Sequence, residues 1–311
     1  MARARRFSRV GAVWVGVALA LLFTLVAAVT DAIVKHFANA YEAPQLFVFS
    51  GVLICVFCVA GAVMTGESLT WRTACPRAMA LRSVLACVAV VGYYYAFRVL
   101  DFAEVFLFIG LAPLLSGVAA GPVLGERVGV RGWVALCGGA AGVGFLYPSA
   151  IDGKLVGYCV ALVAVFAGTL SIVLSRYISL REHRPMLLIF YPNLAIGAAM
   201  AVALPFVYEV MPIRDGVWVC VYAFFMFASR WLLIEAVKLV PAYFISLMVN
   251  TQFAWMVIIG ALIFSEWPSA GVFAGALMLI GASLLLVKDQ LVAASNGESL
   301  SGVSALKQRT G

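Results

Sequence analysis

The sequence contains few charged residues, and this scarcity decides the class of protein. Asp, Glu, Lys and Arg together make up 11% of the 311 residues, whereas an ordinary soluble domain has about 25%. Hydrophobic residues make up 65% of the chain, and the mean hydropathy is +1.07. The exterior of a soluble protein of this size needs more polar groups than this. The composition therefore excludes a soluble globular protein and predicts an integral membrane protein.

The groups that metal, redox and nucleotide chemistry require are also scarce. The chain has only two histidines, and its seven cysteines show no zinc-binding pattern and no histidine partner at metal spacing. Cys55 and Cys58 form a C-x-x-C inside an apolar run, where a free cysteine packs as a small hydrophobic residue. No P-loop or dinucleotide fingerprint follows a strand. We therefore expect no catalytic residue, no metal, no cofactor and no ATPase activity.

Long apolar runs dominate the remainder of the sequence. A membrane-spanning helix needs about 20 apolar residues, and breaks in hydrophobicity predict ten such spans. The predicted spans are 10–33, 44–65, 79–97, 102–122, 130–148, 155–175, 186–208, 216–237, 242–264 and 269–287. We thus predict an all-α membrane protein with a short N-terminal tail over 1–9 and a disordered tail over 288–311. The short connections leave no room for a soluble domain.

The basic residues indicate the orientation of the chain. If the N-terminus is cytoplasmic and the spans alternate, most lysines and arginines fall on the cytoplasmic side, as the positive-inside rule requires. The arginines placed there include Arg6, Arg82, Arg127 and Arg184. An even number of spans then places both termini in the cytoplasm. Because the basic residues flank apolar runs, the net charge of +7 does not indicate a nucleic-acid partner.

The two halves of the chain contain an internal repeat at an offset of 140 residues. Residues 95–100 align with residues 235–240, and Glu126 aligns with Glu266. A repeat of five spans, an odd number, inserts its second copy upside down, and such inverted repeats usually hold the substrate between them at mid-membrane. We therefore predict one five-helix unit over 10–148 and a second, inverted unit over 155–287.

The end of each half resembles the signature of the EamA-domain family of the drug/metabolite transporter superfamily. The stretch from Ala96 to Glu126, with Pro113 within it, looks like the first copy, and Ala236-x₂₉-Glu266 looks like the second. The resemblance implies ten helices in two inverted halves, alternating access and a bacterial inner-membrane location. The sequence departs from one branch of the family at Ser50, where that branch has arginine. Phe253 also stands in the second half at the position of Pro113 in the first half.

The substrates that this resemblance implies are diverse. They include amino acids, S-adenosylmethionine, riboflavin and opine metallophores. We expect a secondary transporter, more specifically an exporter, of small amphipathic metabolites such as amino acids or their derivatives. Uptake or exchange of a nucleoside-like or vitamin metabolite, export of an opine metallophore, and a membrane-embedded lipid-modifying enzyme are the alternatives. We expect a monomer or weak dimer in the lipid bilayer, with a proton as the candidate coupling ion.

Ionisable groups inside a span are costly and usually face a cavity or a partner. Arg230 and Glu235 lie in the eighth span. Arg230 is near the middle of that span, where it could meet a substrate carboxylate or form an ion pair between helices. Asp31 and Lys35 share a helix face. We expect them to pair with each other at the outer interface, with a role in an outer gate or in proton coupling as the alternative.

Two further charged groups bracket the turn between the third and fourth spans. Arg98 precedes the turn and Glu104 follows it. Glu104 could titrate and couple proton entry to transport, or it could form a salt bridge or lie in a solvated loop. Glu126 and Glu266 each precede the last span of their half, so we expect them to have structural roles at helix N-termini, and we assign Pro113 to structure as well.

Aromatic and amide side chains at membrane depth complete the set of candidates. An aromatic lining with a few polar groups suits an apolar or aromatic substrate, although lipid contact or core packing remains the alternative for each residue. Asn250 and Gln252 either bond across helices or face the cavity. The candidates of this kind are Tyr94, Trp231, Asn250, Gln252 and Trp255.

Overall fold

The protein is described here from a computed structural model of the chain. The structure describes residues 2–67, 70, 72–112, 114–116, 118–119, 133–134, 137–138, 141–142, 153–182, 184–239 and 251–295. Its side chains are described from residue 15 onward, except those of residues 17, 234–239, 283 and 285–295.

The described part of the chain is helical and contains no strand. Its helices are α1 Ala2–Ala40, α2 Ala43–Thr65, α3 Pro76–Val99, α4 Phe102–Ile109, α5 Leu155–Ser179, α6 Pro185–Val207, α7 Ile213–Leu239, α8 Thr251–Ile263 and α9 Ala270–Ser295. Helices α1–α4 correspond to the first four predicted spans, and α5–α9 correspond to the sixth to tenth. The predicted fifth span lies mostly outside the described residues. Helix α1 includes the basic N-terminal segment, and α9 continues beyond residue 287.

Among the described helices, six are long and apolar enough to cross a membrane: α1, α2, α3, α5, α6 and α7. Helices α4, α8 and α9 contain shorter apolar segments. Prolines in the first turn begin α2, α3 and α6, where a missing N–H leaves no hydrogen bond unmade. Pro192 and Pro205 lie inside α6, which continues through both.

The helices pack in pairs that join the two halves of the chain. Helix α3 lies along α5, α1 lies along α7, and α2 lies along α6. Exchanging the two halves turns the first pair into the second and leaves the third pair unchanged, because α1, α2 and α3 correspond to α5, α6 and α7. This pairing is the one that a two-fold relationship between the halves would produce.

Glycines bring backbones together at two helix crossings. A Cβ atom at Gly275 would come within 2.5 Å of the carbonyl oxygen of Gly142, so only glycine fits there. Where α2 crosses α6, a Cβ atom at Gly51 would lie 3.1 Å from the carbonyl oxygen of Asn193 and 3.4 Å from the Cα atom of Gly197. Such close approach is a common way for membrane helices to associate, because van der Waals packing replaces the missing hydrophobic drive.

Candidate functional site

Helix α1 presents a polar stripe to the interior of the bundle. Thr24, Asp31 and Lys35 are spaced by seven and four residues, which places them on one helix face. The Thr24 hydroxyl lies 3.0 Å from that of Thr251, and Nε2 of Gln252 donates to Oδ2 of Asp31 at 3.0 Å. The stripe therefore follows α8 and continues toward the end of the bundle that contains Asp101, here called the Asp101 end.

Lys35 does not pair with Asp31, so the predicted mutual ion pair is wrong. Its Nζ atom lies 2.6 Å from Oε1 of Glu266 and donates to the carbonyl oxygen of Leu100 at 3.0 Å. The side chain is buried, with 2% of its surface exposed. A buried lysine needs hydrogen-bond acceptors for its charge. Glu266 supplies the carboxylate for Lys35, whereas the carboxylate of Asp31 is bonded to Gln252.

Glu266 caps the N-terminus of α4, a helix of the first half. It was expected to cap α9, the helix that follows it in the chain. Its Oε2 atom accepts the backbone N–H of Phe102 at 2.8 Å, where a negative charge is favourable at a helix N-terminus. The preceding Ser265 has a φ of 57°, a left-handed conformation that is strained for a serine. The turn thus directs Glu266 toward α4 and Lys35.

Glu104 is buried in a second ionic contact at the same end. Its Oε2 atom lies 3.1 Å from Nζ of Lys154, and its Oε1 atom accepts a hydrogen bond from the hydroxyl of Tyr158 at 3.2 Å. Its carboxylate also accepts the backbone N–H of Asp101 at 3.1 Å, as part of a capping box. The structure thus places Glu104 in a salt bridge, which was one of its expected roles.

Lys154 binds both acidic groups of this turn, since its Nζ atom also lies 3.0 Å from Oδ2 of Asp101. Burial acts to lower the pKa of Lys154, but the hydrogen bonds and negative charges of Asp101 and Glu104 raise it above the usual value. Lys154 therefore stays protonated. Together, Lys35, Glu104, Lys154 and Glu266 form what we call the ionic layer, which joins the two halves at the Asp101 end.

Arg98 lies at the surface of the Asp101 end. It binds Glu42 at 2.8 Å and donates to the carbonyl oxygens of Ala38 and Tyr41. These contacts tie α3 to the turn between α1 and α2, so Arg98 serves that turn and not the interior of the bundle.

Arg230 faces the interior of the bundle, and yet its side chain is exposed. It shares a helix face with Val219, Ala223 and Met226, at spacings of four, seven and eleven residues. Val219 and Ala223 are buried, whereas Arg230 is exposed. Exposure on an inward face indicates open space between the helices. Within the described part of the chain, no hydrogen bond or ion pair is recorded for its guanidinium group.

Several polar side chains lie within electrostatic range of Arg230 or of Asp31. The charge of Arg230 acts on Asp31, Tyr222 and Arg82, and the charge of Asp31 acts on Tyr93 and Tyr222. They come from four different helices in both halves of the chain. We call this group, which consists of Asp31, Arg82, Tyr93, Tyr222, Arg230 and Gln252, the inner cluster.

The predicted aromatic candidates divide between the core and the surroundings of the cluster. Tyr94 is fully buried and donates to the carbonyl oxygen of Tyr41 at 3.1 Å, so it packs in the core and does not line a cavity. Trp231 is half-buried against Phe227. Trp255 is half-buried, and its Nε1 atom has no hydrogen-bond partner among the residues that the structure describes.

Some candidates cannot be placed with the others. Asn250, Glu126 and Pro113 lie outside the described residues. Glu235 lies in α7, but its side chain is not among those described.

Sequence reasoning missed three members of the inner cluster. Arg82 was assigned to the cytoplasmic side, although it lies inside the predicted third span, and a charge within a span was the signal that could have found it. Tyr93 was one of three consecutive tyrosines, and composition did not distinguish it from Tyr94. Tyr222 had no signal beyond its residue type.

The described residues contain no group of three or more His, Cys, Asp or Glu side chains able to hold a metal ion. The arrangement instead provides hydrogen-bond donors, one carboxylate and aromatic rings in an accessible interior. Such a site can bind a small polar molecule.

Comparison with known proteins agrees with this architecture. The sequence profile of the EamA-like transporter family matches the chain twice, over residues 14–147 and 155–288. A solved structure described as "Crystal structure of protein" is similar over 89% of this chain and 97% of its own, with 17% identity and a TM-score of 0.62. This likeness concerns the fold alone. No curated protein matches the chain.

Proposed function

Because the chain belongs to the EamA-like transporter family, we propose that it is a secondary transporter that exports small amphipathic metabolites, foremost amino acids or their derivatives. The chain is an integral, multi-pass membrane protein. In this proposal it crosses the membrane ten times as two inverted five-helix units, and it works by alternating access between them.

The observation that carries this proposal is the exposed Arg230 on the inward face of α7. A charged side chain in the interior of a membrane bundle is costly, and it usually marks a substrate or ion pathway. Asp31 lies within range of its charge. An arginine and a carboxylate in one accessible space suit a molecule with both a carboxylate and an amino group.

The remaining lining favours an apolar part in the same substrate. Within the cluster Tyr93 is half-buried and Tyr222 is buried, and the half-buried Trp231 follows Arg230 in the chain. Aromatic rings offer large apolar surfaces with polar edges. An amino acid or derivative with an apolar side chain thus matches both parts of the site.

The ionic layer supports alternating access. It closes the Asp101 end by contacts between the two halves, whereas Arg230 remains exposed further along the bundle. With both termini in the cytoplasm of a bacterium, as the positive-inside rule favours, the Asp101 end faces the periplasm. The structure then corresponds to a state that is open toward the cytoplasm.

A flux measurement in proteoliposomes tests the proposal. Purified protein is reconstituted, and uptake of radiolabelled amino acids, S-adenosylmethionine and riboflavin is compared with that of empty vesicles. We expect counterflow of at least one amino acid and a loss of about tenfold or more in Arg230→Gln, because a hydrogen-bonded charge is worth roughly 1.5–3 kcal/mol. Arg214→Gln, an exposed residue of the same helix, is the matched control. Absence of flux for the whole panel would refute the proposal.

A further inference from the structure

A second arginine of the inner cluster lacks a complete set of partners. Arg82 extends from α3 to α6, where its Nη1 atom donates to the carbonyl oxygen of Leu188 at 2.6 Å. Its Nε atom is buried and has no hydrogen-bond partner among the described residues. Buried donors in native proteins are nearly always satisfied, so this N–H group calls for an acceptor that the described chain does not supply.

The neighbouring arginine has the same deficiency. The guanidinium of Arg230 has no recorded hydrogen bond or ion pair within the described part of the structure, although it is exposed to the interior space. The two positive charges are close enough to act on each other. Two like charges repel more strongly in a protein interior than in water, and an anion between them would relieve this repulsion.

The nearby carboxylate does not fill this role. Asp31 acts on Arg230 and accepts a hydrogen bond from Gln252, but no contact with Arg82 is recorded. Arg82 and Tyr93 lie eleven residues apart on one face of α3, and Asp31 is close to Tyr93. Asp31 thus lies toward the Asp101 end of the cluster, and Arg82 lies toward the opposite end. The described cluster holds two cations and one anion.

We propose that Arg82 and Arg230 together bind an oxyanion, a carboxylate or a phosphate, of the transported molecule. This inference rests on the proposed function and identifies the charged group of its substrate. A guanidinium presents two parallel N–H donors, which match the oxygens of a carboxylate or phosphate. The anion would accept from Nε of Arg82 and from the guanidinium of Arg230, and Asp31 would remain for a cationic group at the other end of the molecule.

The proposal is tested by binding of matched aromatic probes to the purified full-length protein. Benzoate and phenyl phosphate carry the two kinds of oxyanion, and benzamide has the shape of benzoate without its charge. Affinity is measured by calorimetry or thermal stabilisation in detergent. We expect benzoate or phenyl phosphate to bind at least about tenfold more tightly than benzamide, and the stronger of the two identifies the source of the oxyanion.

Substitutions assign this preference to the arginines. Arg82→Gln and Arg230→Gln should each reduce the preference for the anionic probe by about tenfold, because each removes donors to a charged group. Arg82→Lys keeps the positive charge and should retain part of the preference. It serves as a control in case Arg82→Gln does not fold. Arg77→Gln, an exposed residue on the same helix, should change nothing. An equal affinity for benzoate, phenyl phosphate and benzamide in the unmodified protein would overturn the proposal, as would a preference that survives Arg82→Gln.

This experiment separates the inference from the proposed function. Anion binding that depends on both arginines, without flux of any metabolite, would support the site and refute the transporter. Flux of a metabolite that is equally fast after its carboxylate is converted to an amide would support the transporter and refute the oxyanion site.

Discussion

The ionic layer and the inner cluster place charged groups at two levels of the same bundle, but these groups differ in how many partners they have within the protein. In the ionic layer, Lys35 has both a carboxylate and a carbonyl oxygen within 3.0 Å. In the inner cluster, Arg230 has no recorded ion pair within the described part of the chain, and Nε of Arg82 has no described partner. Charged groups that have all their partners within the protein stabilise the fold. Charged groups without such partners remain able to bind a ligand.

Helix α1 connects the two levels. Asp31 and Lys35 are one helical turn apart, and each is bonded to the second half, Asp31 to Gln252 in α8 and Lys35 to Glu266 in the turn that follows α8. Release of Lys35 from Glu266 would free α1 to move, and Asp31 would move with it. The contrast between the two levels can therefore be tested by substitutions that affect stability in one and ligand binding in the other.

The largest effect is expected from breaking the ion pair of the ionic layer. Lys35→Met should lower the free energy of unfolding by about 3 kcal/mol, the lower end for a buried pair that loses one partner, because Glu266 remains a quarter exposed. Unfolding in mixed micelles measures this change. The double variant with Glu266→Gln should recover part of the loss, and a single variant as stable as the unmodified protein would contradict the assignment.

A smaller loss is expected at the second ionic contact. Glu104→Gln should lower the free energy of unfolding by about 1.5 kcal/mol, since it removes a charged acceptor from Lys154 and Tyr158. Asp101→Asn is the matched control. Its side chain is 45% exposed, so its ion pair contributes less than about 1 kcal/mol, and asparagine remains a good N-cap. The same unfolding assay should rank the two variants in this order.

The inner cluster should respond in the opposite way. Arg230→Gln should change the free energy of unfolding by less than about 1 kcal/mol, because no recorded hydrogen bond is lost and an exposed charge costs little to remove. Its binding of oxyanions should nevertheless fall. Unfolding and ligand titration on one preparation measure both quantities, and a stability loss like that of Lys35→Met would show that the two levels do not differ.

The smallest effect concerns pH at the rim of the Asp101 end. The hydroxyl of Tyr41 donates to Oδ2 of Asp215 at 2.5 Å, and this hydrogen bond, with some burial and the nearby negative charge, raises the pKa of Tyr41 to about 12. Because the pKa of Tyr41 is higher in the folded state than in the unfolded one, the protonated hydroxyl stabilises the fold. This contribution is complete below about pH 10, where Tyr41 is protonated in both states, and it is lost as the pH rises through about 12. Tyr41→Phe should therefore lose less stability than the unmodified protein between these values, as melting temperatures measured against pH can show.

Much of the fold was accessible from the sequence because lipid imposes a simple rule. Each crossing must be an apolar helix of sufficient length, so hydropathy alone located the segments that became α1 to α3 and α5 to α7. The alignment of the two halves also predicted a two-fold relationship between them, and the packing of α3 on α5 and of α1 on α7 agrees with it. The predicted fourth and ninth spans extend into residues outside the described ranges, so their full lengths stay predictions.

The site was less accessible because its contacts connect residues far apart in the chain. Spacing on a single helix suggested that Lys35 pairs with Asp31, but Lys35 instead reaches Glu266, which is brought to it by a turn through Ser265. Arg82 was counted with the cytoplasmic arginines although it lies inside the predicted third span, and its partner Leu188 on another helix could not be deduced from local spacing. Local rules identify which charges lie inside the membrane, but the assembled bundle decides what they contact.

The crossing of α2 and α6 at Gly51 and Gly197 has a consequence for motion. These two helices exchange places with each other when the halves are interchanged, so their contact lies near the two-fold axis. In an inverted-repeat transporter, the inward-open and outward-open forms are related by that same interchange, and a point on the axis stays where it is. If the protein works by the alternating access proposed above, the contact of Gly51 and Gly197 would serve as the pivot, while helices further from the axis move to open one face and close the other.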